Sequence, residues 1–300
     1  MAETLSELFY DLIKKALKIS NVPTVINENN VYQEGDTNIL PMLDEMVERL
    51  ALPGSGVDGL ENLEELLQKA ESGKACLLLV EHYSNLDLSI VSLLARKAGG
   101  RGRDIHDSLI AMAGMKLSEH NPGVAALASA YTKIVIYPSR SIQELDTEKD
   151  KDEIQCANAI NRAAMKALIR HKYKGKLILV FPSGTRYRPW EPDTKKGVRE
   201  IDSYIRSFDY MCFVAINGML MHVQQSDMLN DIMTKDIVRV TAGPVTECKE
   251  FRDNIRAKAM CTAKAVCGEE DKKQAVADAI MNKLEEMHTA AEEERLKLLK

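Results

Sequence analysis

The chain starts with apolar residues at helical spacing and changes after about fifty residues to short apolar runs. Apolar positions that recur every three or four residues predict helices over the first part. These positions are Leu5, Leu8, Phe9, Leu12, Ile13 and Leu17, then Ile39, Leu43, Met46 and Leu50. The stretch ALPGSGVDG, residues 51–59, is rich in glycine and proline and indicates a linker or turn before a helix from Leu60 to Ala70. We therefore predict a small helical N-terminal domain, residues 1–54.

Beyond the linker, apolar runs typical of buried strands alternate with helical segments. The predicted strands are Ala75 to Val80, Ser108 to Ala113, Lys133 to Tyr137, Lys176 to Phe181, Met211 to Ile216 and Ile237 to Thr241. The predicted helices are Leu86 to Lys97, Ile154 to His171, Val198 to Ser207 and a charged C-terminal helix, Gln274 to Lys300. We predict an α/β domain, residues 55–300, with a mixed, mostly parallel central sheet covered by helices. The C-terminal repeat is too short for a coiled coil and indicates a solvated helix with one packed face.

Composition narrows the possible functions. With 300 residues, 45% of them hydrophobic, the chain is long enough for a large core. Its 40 basic and 45 acidic residues give a net charge of -5, so we expect no nucleic-acid partner and only local anion sites. The six cysteines show no CxxC pair and no metal-ligand spacing, which favours reduced thiols and no metal. They are Cys76, Cys156, Cys212, Cys248, Cys261 and Cys267.

No apolar run approaches the roughly 18 to 20 residues that a membrane-spanning helix needs. Apolar runs such as residues 75–80 and 177–181 are far shorter. The N-terminus carries acidic residues early and lacks the apolar core of a signal peptide. We expect a cytoplasmic protein, or a stromal one if it comes from a plant plastid, with at most peripheral membrane contact.

The first chemical motif is VEHYSNLDLS, in which His82 follows a predicted strand and Asp87 opens a helix. Sheets of this class bind ligands at the carboxyl ends of their strands. The spacing lets Asp87 accept a hydrogen bond from one imidazole nitrogen and leaves the other nitrogen as a base. The substrate hydroxyl would then stand where a protease triad has its serine. Taken alone, the H-x-x-x-x-D spacing is a weak signal.

The second motif, LILVFPSGTRYRPW, is an apolar strand that runs into a loop with two arginines. The small residues Ser183 and Gly184 let backbone amides approach a ligand. Arg186 and Arg188 are close enough in sequence to converge on one phosphate through forked hydrogen bonds. This loop is therefore a candidate anion site.

Together, HYSNLD and, about a hundred residues later, FPSGTRYRP resemble two motifs of the glycerol-phosphate acyltransferase superfamily. The nearer likeness is to the soluble, plastid-type glycerol-3-phosphate acyltransferases, over approximately Leu60 to Gly243. The segments IAMAGMKL and YTKIVIYPSRS also look like family segments. The resemblance implies that His82 is the base and Asp87 its orienter, and that Gly184, with Ser183 beside it, shapes the loop. It also implies a phosphate site that contains Arg186, Arg188, Arg140 and Lys116.

The resemblance further implies transfer of a fatty acyl group to the sn-1 hydroxyl of glycerol 3-phosphate. Acyl-carrier protein or acyl-CoA would be the co-substrate, and no cofactor would be needed. The plastid-type pattern has a basic pair where this chain has Arg140 and Ser141, so the second basic residue is absent and we expect the geometry of the phosphate site to depart from that pattern. Two alternatives stay open: acylation of lysophosphatidic acid, and a non-catalytic protein that binds an acyl carrier or a lipid. The other histidines, His106, His120, His171, His222 and His288, have no partner pattern and are expected to be structural or solvated.

Overall fold

A computed structural model describes residues 3–23, 25–115, 121–143, 145–262 and 268–299, with the backbone alone for 260–262. The helices are α1 (Leu5–Ile19), α2 (Leu40–Leu50), α3 (Leu60–Glu71), α4 (Asp87–Ala98), α5 (Gly102–Ser108), α6 (Pro122–Ala128), α7 (Ser139–Gln143), α8 (Lys151–His171), α9 (Ile201–Ser207), α10 (Cys248–Thr262) and α11 (Glu269–Leu298). The strands are β1 (Glu3–Thr4), β2 (Tyr32–Gln33), β3 (Gly56–Asp58), β4 (Cys76–Val80), β5 (Leu109–Gly114), β6 (Lys133–Ile136), β7 (Leu177–Val180), β8 (Tyr210–Asn217), β9 (Met221–His222), β10 (Ile232–Met233), β11 (Arg239–Ala242) and β12 (Thr246–Glu247).

The main sheet is mixed and mostly parallel. Within the described residues it has nine strands in the order β2-β6-β5-β7-β4-β8-β11-β3, with β12 also paired to β8. The five central strands, β6 to β8 in this order, are parallel. The six strands expected from apolar runs are all present, with ends displaced by at most two residues. Strands buried on both faces require continuous apolar sequence, which is why these runs were readable.

Two short edge strands were not expected. β2 pairs with β6 in the antiparallel sense, and β3 pairs with β11 in the parallel sense. The interpretation of residues 51–59 as a linker or turn was wrong for Gly56–Asp58, which form β3. Strands of two or three residues are too short to show a periodicity in the sequence. Whether they form depends on the sheet edge with which they pair.

The N-terminal helices pack against the sheet. Thr4 caps the N-terminus of α1: its hydroxyl accepts from the backbone amide of Glu7, while the Glu7 carboxylate accepts from the Thr4 amide. Apolar residues of α1 and α2 share one hydrophobic cluster with residues of the central strands. Leu17, expected on the packed face, is instead 46% exposed. Whether residues 1–54 form a separate domain stays a prediction.

Each face of the sheet has its own hydrophobic cluster. Side chains alternate along a strand, so Leu78 and Val80 of β4 join the cluster with α1 to α4, whereas Leu77 and Leu79 join the cluster with α8 and α11. α11 buries four residues, Val276, Ala277, Ile280 and Leu284, which confirms one packed face. The alternation places the next two residues after β4 on opposite sides of the sheet edge.

Two further observations concern the wider chain. Among the described residues, no helix combines the length and apolar character needed to cross a bilayer. The thiols of Cys76, Cys212 and Cys248 are buried and free, and Cys156 is exposed and free. The expectation for Cys267, and for the side chain of Cys261, concerns parts of the chain outside the described ones.

Candidate active site

His82 and Asp87 form a hydrogen-bonded pair just beyond the carboxyl end of β4. The Nδ1 atom of His82 lies 2.9 Å from Oδ2 of Asp87, which is the contact that the five-residue spacing predicts. β4 lies between β7 and β8 in the parallel part of the sheet. This edge is where parallel α/β sheets bind ligands.

The Asp87 carboxylate is held by the loop that it closes. Its side chain is 2% exposed. Asp87 is the first residue of α4, where the partial positive charge of the helix N-terminus favours a carboxylate. Besides His82, the Oδ2 atom accepts from the backbone amides of Tyr83 at 2.6 Å and Ser84 at 2.9 Å, and Oδ1 accepts from the Ser84 hydroxyl at 2.7 Å. Four donors fix its orientation, and the imidazole orientation follows from it.

The second motif contacts His82 directly. Phe181, at the end of the neighbouring strand β7, stacks on the imidazole with ring centroids 3.9 Å apart and an angle of 14°. The Tyr187 amide donates to the His82 carbonyl at 2.8 Å. Within the described part of the chain, His82 Nε2 has no hydrogen-bond partner, and the side chain is 17% exposed. The imidazole is thus fixed at one nitrogen and open at the other.

Gly184 and Ser183 set the course of the loop after β7. Gly184 has φ +67°, in the left-handed region, and an added Cβ would lie 3.3 Å from Val198 Cγ1. Its amide donates to the Phe181 carbonyl at 2.9 Å, which closes a tight turn. Ser183 is 4% exposed and its hydroxyl donates to the Thr185 carbonyl at 2.7 Å. Both residues therefore shape the loop, and the Ser183 hydroxyl is used within it.

Arg186 and Arg188 lie on this loop, each with a carboxylate partner. Arg186 donates to Asp231 at 2.7 Å in a pair whose side chains are 13% and 1% exposed. Burial raises the pKa of Asp231, although the Gln224 amide and Arg186 act in the opposite direction. Arg188 donates to Glu191 at 2.8 Å in an exposed pair. One described contact occupies one guanidinium nitrogen of each arginine, so both retain donors for an anion.

The remaining predicted phosphate ligands differ in how the structure places them. Arg140 lies on the short helix α7 and donates to the Lys196 carbonyl at 3.2 Å, which brings it to the far end of the arginine loop. Lys116 lies outside the described residues and stays a prediction. Convergence of these cations on a single phosphate is likewise a prediction.

Comparison with known proteins gives little further information. No protein-family model matches the chain, and no curated protein matches it. Among solved structures, it is similar to the crystal structure of the 1-acyl-sn-glycerophosphate (LPA) acyltransferase PlsC from Thermotoga maritima. The two share 14% sequence identity over 83% of this chain and 79% of that chain, with a TM-score of 0.42. A similarity this distant carries no argument about function.

Several residues beside the motif pair were not singled out in the sequence. Asp231 holds Arg186, and Glu81, Tyr83 and His288 are hydrogen-bonded to one another next to His82. His288 was expected to be structural or solvated, and its Nδ1 lies 2.9 Å from Glu81 Oε2, a contact that fits a structural residue. Adjacency to His82 was the only signal for Glu81 and Tyr83. Nothing in the local sequence marks Asp231 or His288.

Proposed function

We propose that this chain is an acyltransferase that moves a fatty acyl group from a thioester carrier to the sn-1 hydroxyl of glycerol 3-phosphate. The observation that carries the proposal is the His82 imidazole, with Nδ1 held by Asp87 and Nε2 open beside an arginine-bearing loop. The carrier is acyl-carrier protein or coenzyme A. Both supply the same thioester chemistry.

In this proposal His82 acts as a general base and then as a general acid. Nε2 takes the proton of the acceptor hydroxyl as its oxygen attacks the thioester carbonyl. The tetrahedral intermediate collapses, the carbon–sulfur bond breaks, and the departing sulfur takes the proton from the imidazolium. Asp87 keeps the imidazole in the reactive tautomer and stabilises its charged form, so no protein nucleophile is required.

The arginines have a separate role. Arg186, oriented by Asp231, would bind the acceptor phosphate with Arg188 and Arg140. Binding a small acceptor through its phosphate places its hydroxyl in reach of the base, which converts binding into orientation. The two motifs on neighbouring strand ends support this division of roles.

The test is turnover of the purified protein with acyl-carrier protein and coenzyme A thioesters against glycerol 3-phosphate and lysophosphatidic acid. We expect the higher kcat/KM for glycerol 3-phosphate, with lysophosphatidic acid kept below its micelle threshold. A higher value for lysophosphatidic acid would assign that acceptor instead. Thioester binding without turnover would make the chain a non-catalytic binding protein. His82→Ala serves as the inactive control.

A further inference from the structure

A second carboxylate–imidazole pair lies on the opposite side of the sheet edge from His82 and Asp87. Glu81 directly precedes His82, is 4% exposed, and by alternation faces α11 rather than α4. Its Oε2 atom accepts from Nδ1 of His288, which is on α11, at 2.9 Å. Because Nδ1 faces a carboxylate, it carries the proton whether the imidazole is neutral or charged. The C-terminal helix thus contacts the residue next to the proposed base.

Within the described residues, the Glu81 carboxylate has three protein donors. Besides His288, the Ile216 amide of β8 donates to Oε2 at 2.8 Å, and the Tyr83 hydroxyl donates to Oε1 at 3.0 Å. Burial, followed by the charge of Glu81, raises the pKa of Tyr83, so the hydroxyl stays protonated and remains a donor. Glu81 therefore links β4, β8 and α11 to residues 81–86, the loop between β4 and α4 that we call the catalytic loop. A buried carboxylate is retained only where such donors compensate its desolvation.

Tyr83 connects the two carboxylates. Its hydroxyl contacts Glu81, while its backbone amide donates at 2.6 Å to the Asp87 oxygen that also accepts from His82. The Tyr83 ring meets Tyr187 edge-on at 6.3 Å, and the Tyr187 amide binds the His82 carbonyl. A shift of Tyr83 would therefore be transmitted to the Asp87 oxygen and to the backbone of His82.

The charges around His288 favour its contact with Glu81. Burial lowers the pKa of His288, but the hydrogen bond and charge of Glu81 and the charge of Glu285 outweigh burial and raise it overall. Lys195, from the loop after β7, opposes this and is itself paired with Glu285 at 2.5 Å. In the part of the chain that the structure describes, the charged and titratable groups that face His288 are Glu81, Tyr83, Lys195, Glu285 and Glu292.

We propose that Glu81, Tyr83 and His288 are positioning residues that hold the catalytic loop so that Asp87 and His82 stay aligned. The inference rests on the proposed function, since alignment matters only if His82 is the base. The three residues act through the Tyr83 amide and the backbone of His82, and need no contact with substrate. The C-terminal helix is then a working part of the active site.

Two substitutions of His288 test the network. His288→Asn keeps an N–H donor near the position of Nδ1, whereas His288→Leu removes the donor at similar volume. Small displacements of a catalytic group cost about 10- to 100-fold in rate, so we expect His288→Leu to lower kcat by about that range with KM for both substrates unchanged. His288→Asn should restore most of kcat.

Arg295→Ala is the matched control for docking of α11. Arg295 lies two turns beyond His288 and binds Asp236 at 2.8 Å and Glu292 at 2.9 Å. It does not contact Glu81 or His288, so its loss leaves the bond between them in place. Its loss should lower the unfolding midpoint while kcat is retained. Equal kcat in folded wild-type, His288→Leu and His288→Asn proteins would overturn the proposal, as would a loss of kcat in Arg295→Ala as large as in His288→Leu.

A readout without turnover separates this inference from the proposed function. In protein labelled with 15N-histidine, the Nδ1–H proton of His82 reports its bond to Asp87. We expect this resonance to shift or broaden in His288→Leu and to recover in His288→Asn. This result in a protein without acyl-transfer activity would support the network and refute the proposed function. An unchanged resonance in His288→Leu would overturn the network.

Discussion

Replacement of Asp87 by asparagine isolates the charge that the proposed mechanism requires. Asparagine has the same shape, and its amide oxygen can still accept from the two backbone amides and the imidazole that converge on Oδ2. A hydrogen bond to a charged acceptor contributes about 1 kcal/mol more than one to a neutral acceptor. For three such bonds the loss of stability is about 3 kcal/mol. The Ser84 hydroxyl loses its acceptor at Oδ1 as well, and relief of carboxylate burial offsets part of the total loss.

The effect on catalysis should be larger than the effect on folding. Without the carboxylate, the imidazolium formed during proton transfer loses its counter-charge. The amide can also hold His82 in the wrong tautomer. Since general-base catalysis contributes about 100- to 10,000-fold, we expect kcat to fall by about that range while KM for donor and acceptor stays within about 3-fold. Release of the free thiol from the acyl donor, followed continuously, measures both parameters.

Asp202→Asn is the matched control, because Asp202 is 1% exposed and pairs with Arg252 at 2.7 Å on the α10 side of the fold. It should lose comparable stability and keep kcat. The reasoning is refuted if folded Asp87→Asn retains kcat within about 10-fold of wild type, a smaller loss than general-base catalysis requires. It is also refuted if Asp202→Asn loses as much activity as Asp87→Asn.

Four further predictions use other contacts. In steady-state kinetics, Arg186→Ala should raise KM for glycerol 3-phosphate but not for the acyl donor, and Arg186→Lys should not fully restore the wild-type KM. Equal effects on both KM values would contradict the phosphate assignment. In a denaturation experiment, Arg186→Ala should lower the free energy of unfolding by about 3 kcal/mol, because buried Asp231 loses its partner. Arg188→Ala breaks an exposed pair and should lower it by under about 1 kcal/mol. Burial lowers the pKa of Lys133 to about 8, so Lys133→Met should have a larger free energy of unfolding than wild type at neutral pH. In a denaturation series this difference should shrink by about 3 kcal/mol as the pH approaches 10.5, and a constant difference would refute the assignment. Because the pKa of His288 is raised in the folded protein, its ion pair contributes fully to stability below about pH 6.5, and this contribution is lost as the pH rises through the folded pKa. The melting temperature of wild type should therefore exceed that of His288→Asn by an amount that decreases from about pH 6 to 8.5, and an increase would contradict the assignment.

Local sequence was sufficient for the central strands and for the His82–Asp87 pair. Strands buried on both faces need continuous apolar residues, so an apolar run such as residues 75–80 is enough to predict a buried strand. The pair spans five positions that a strand end and a helix start bring together, so its geometry follows from neighbouring elements. The loop that carries Arg186 and Arg188 lies beside His82 because β4 and β7 are neighbours in the sheet. Local sequence does not indicate this adjacency.

Tertiary structure alone decided the partners of these residues. Arg186 binds Asp231 across 45 positions, and Glu81 binds His288 across 207. The edge strands β2 and β3 likewise exist only because another segment offers them a pairing edge. Periodicity and spacing report which side chains a residue meets within its own strand or helical turn. Contacts between distant segments depend on how completed elements pack, and a single charged or aromatic residue on a helix surface carries no mark of the partner that packing will bring to it.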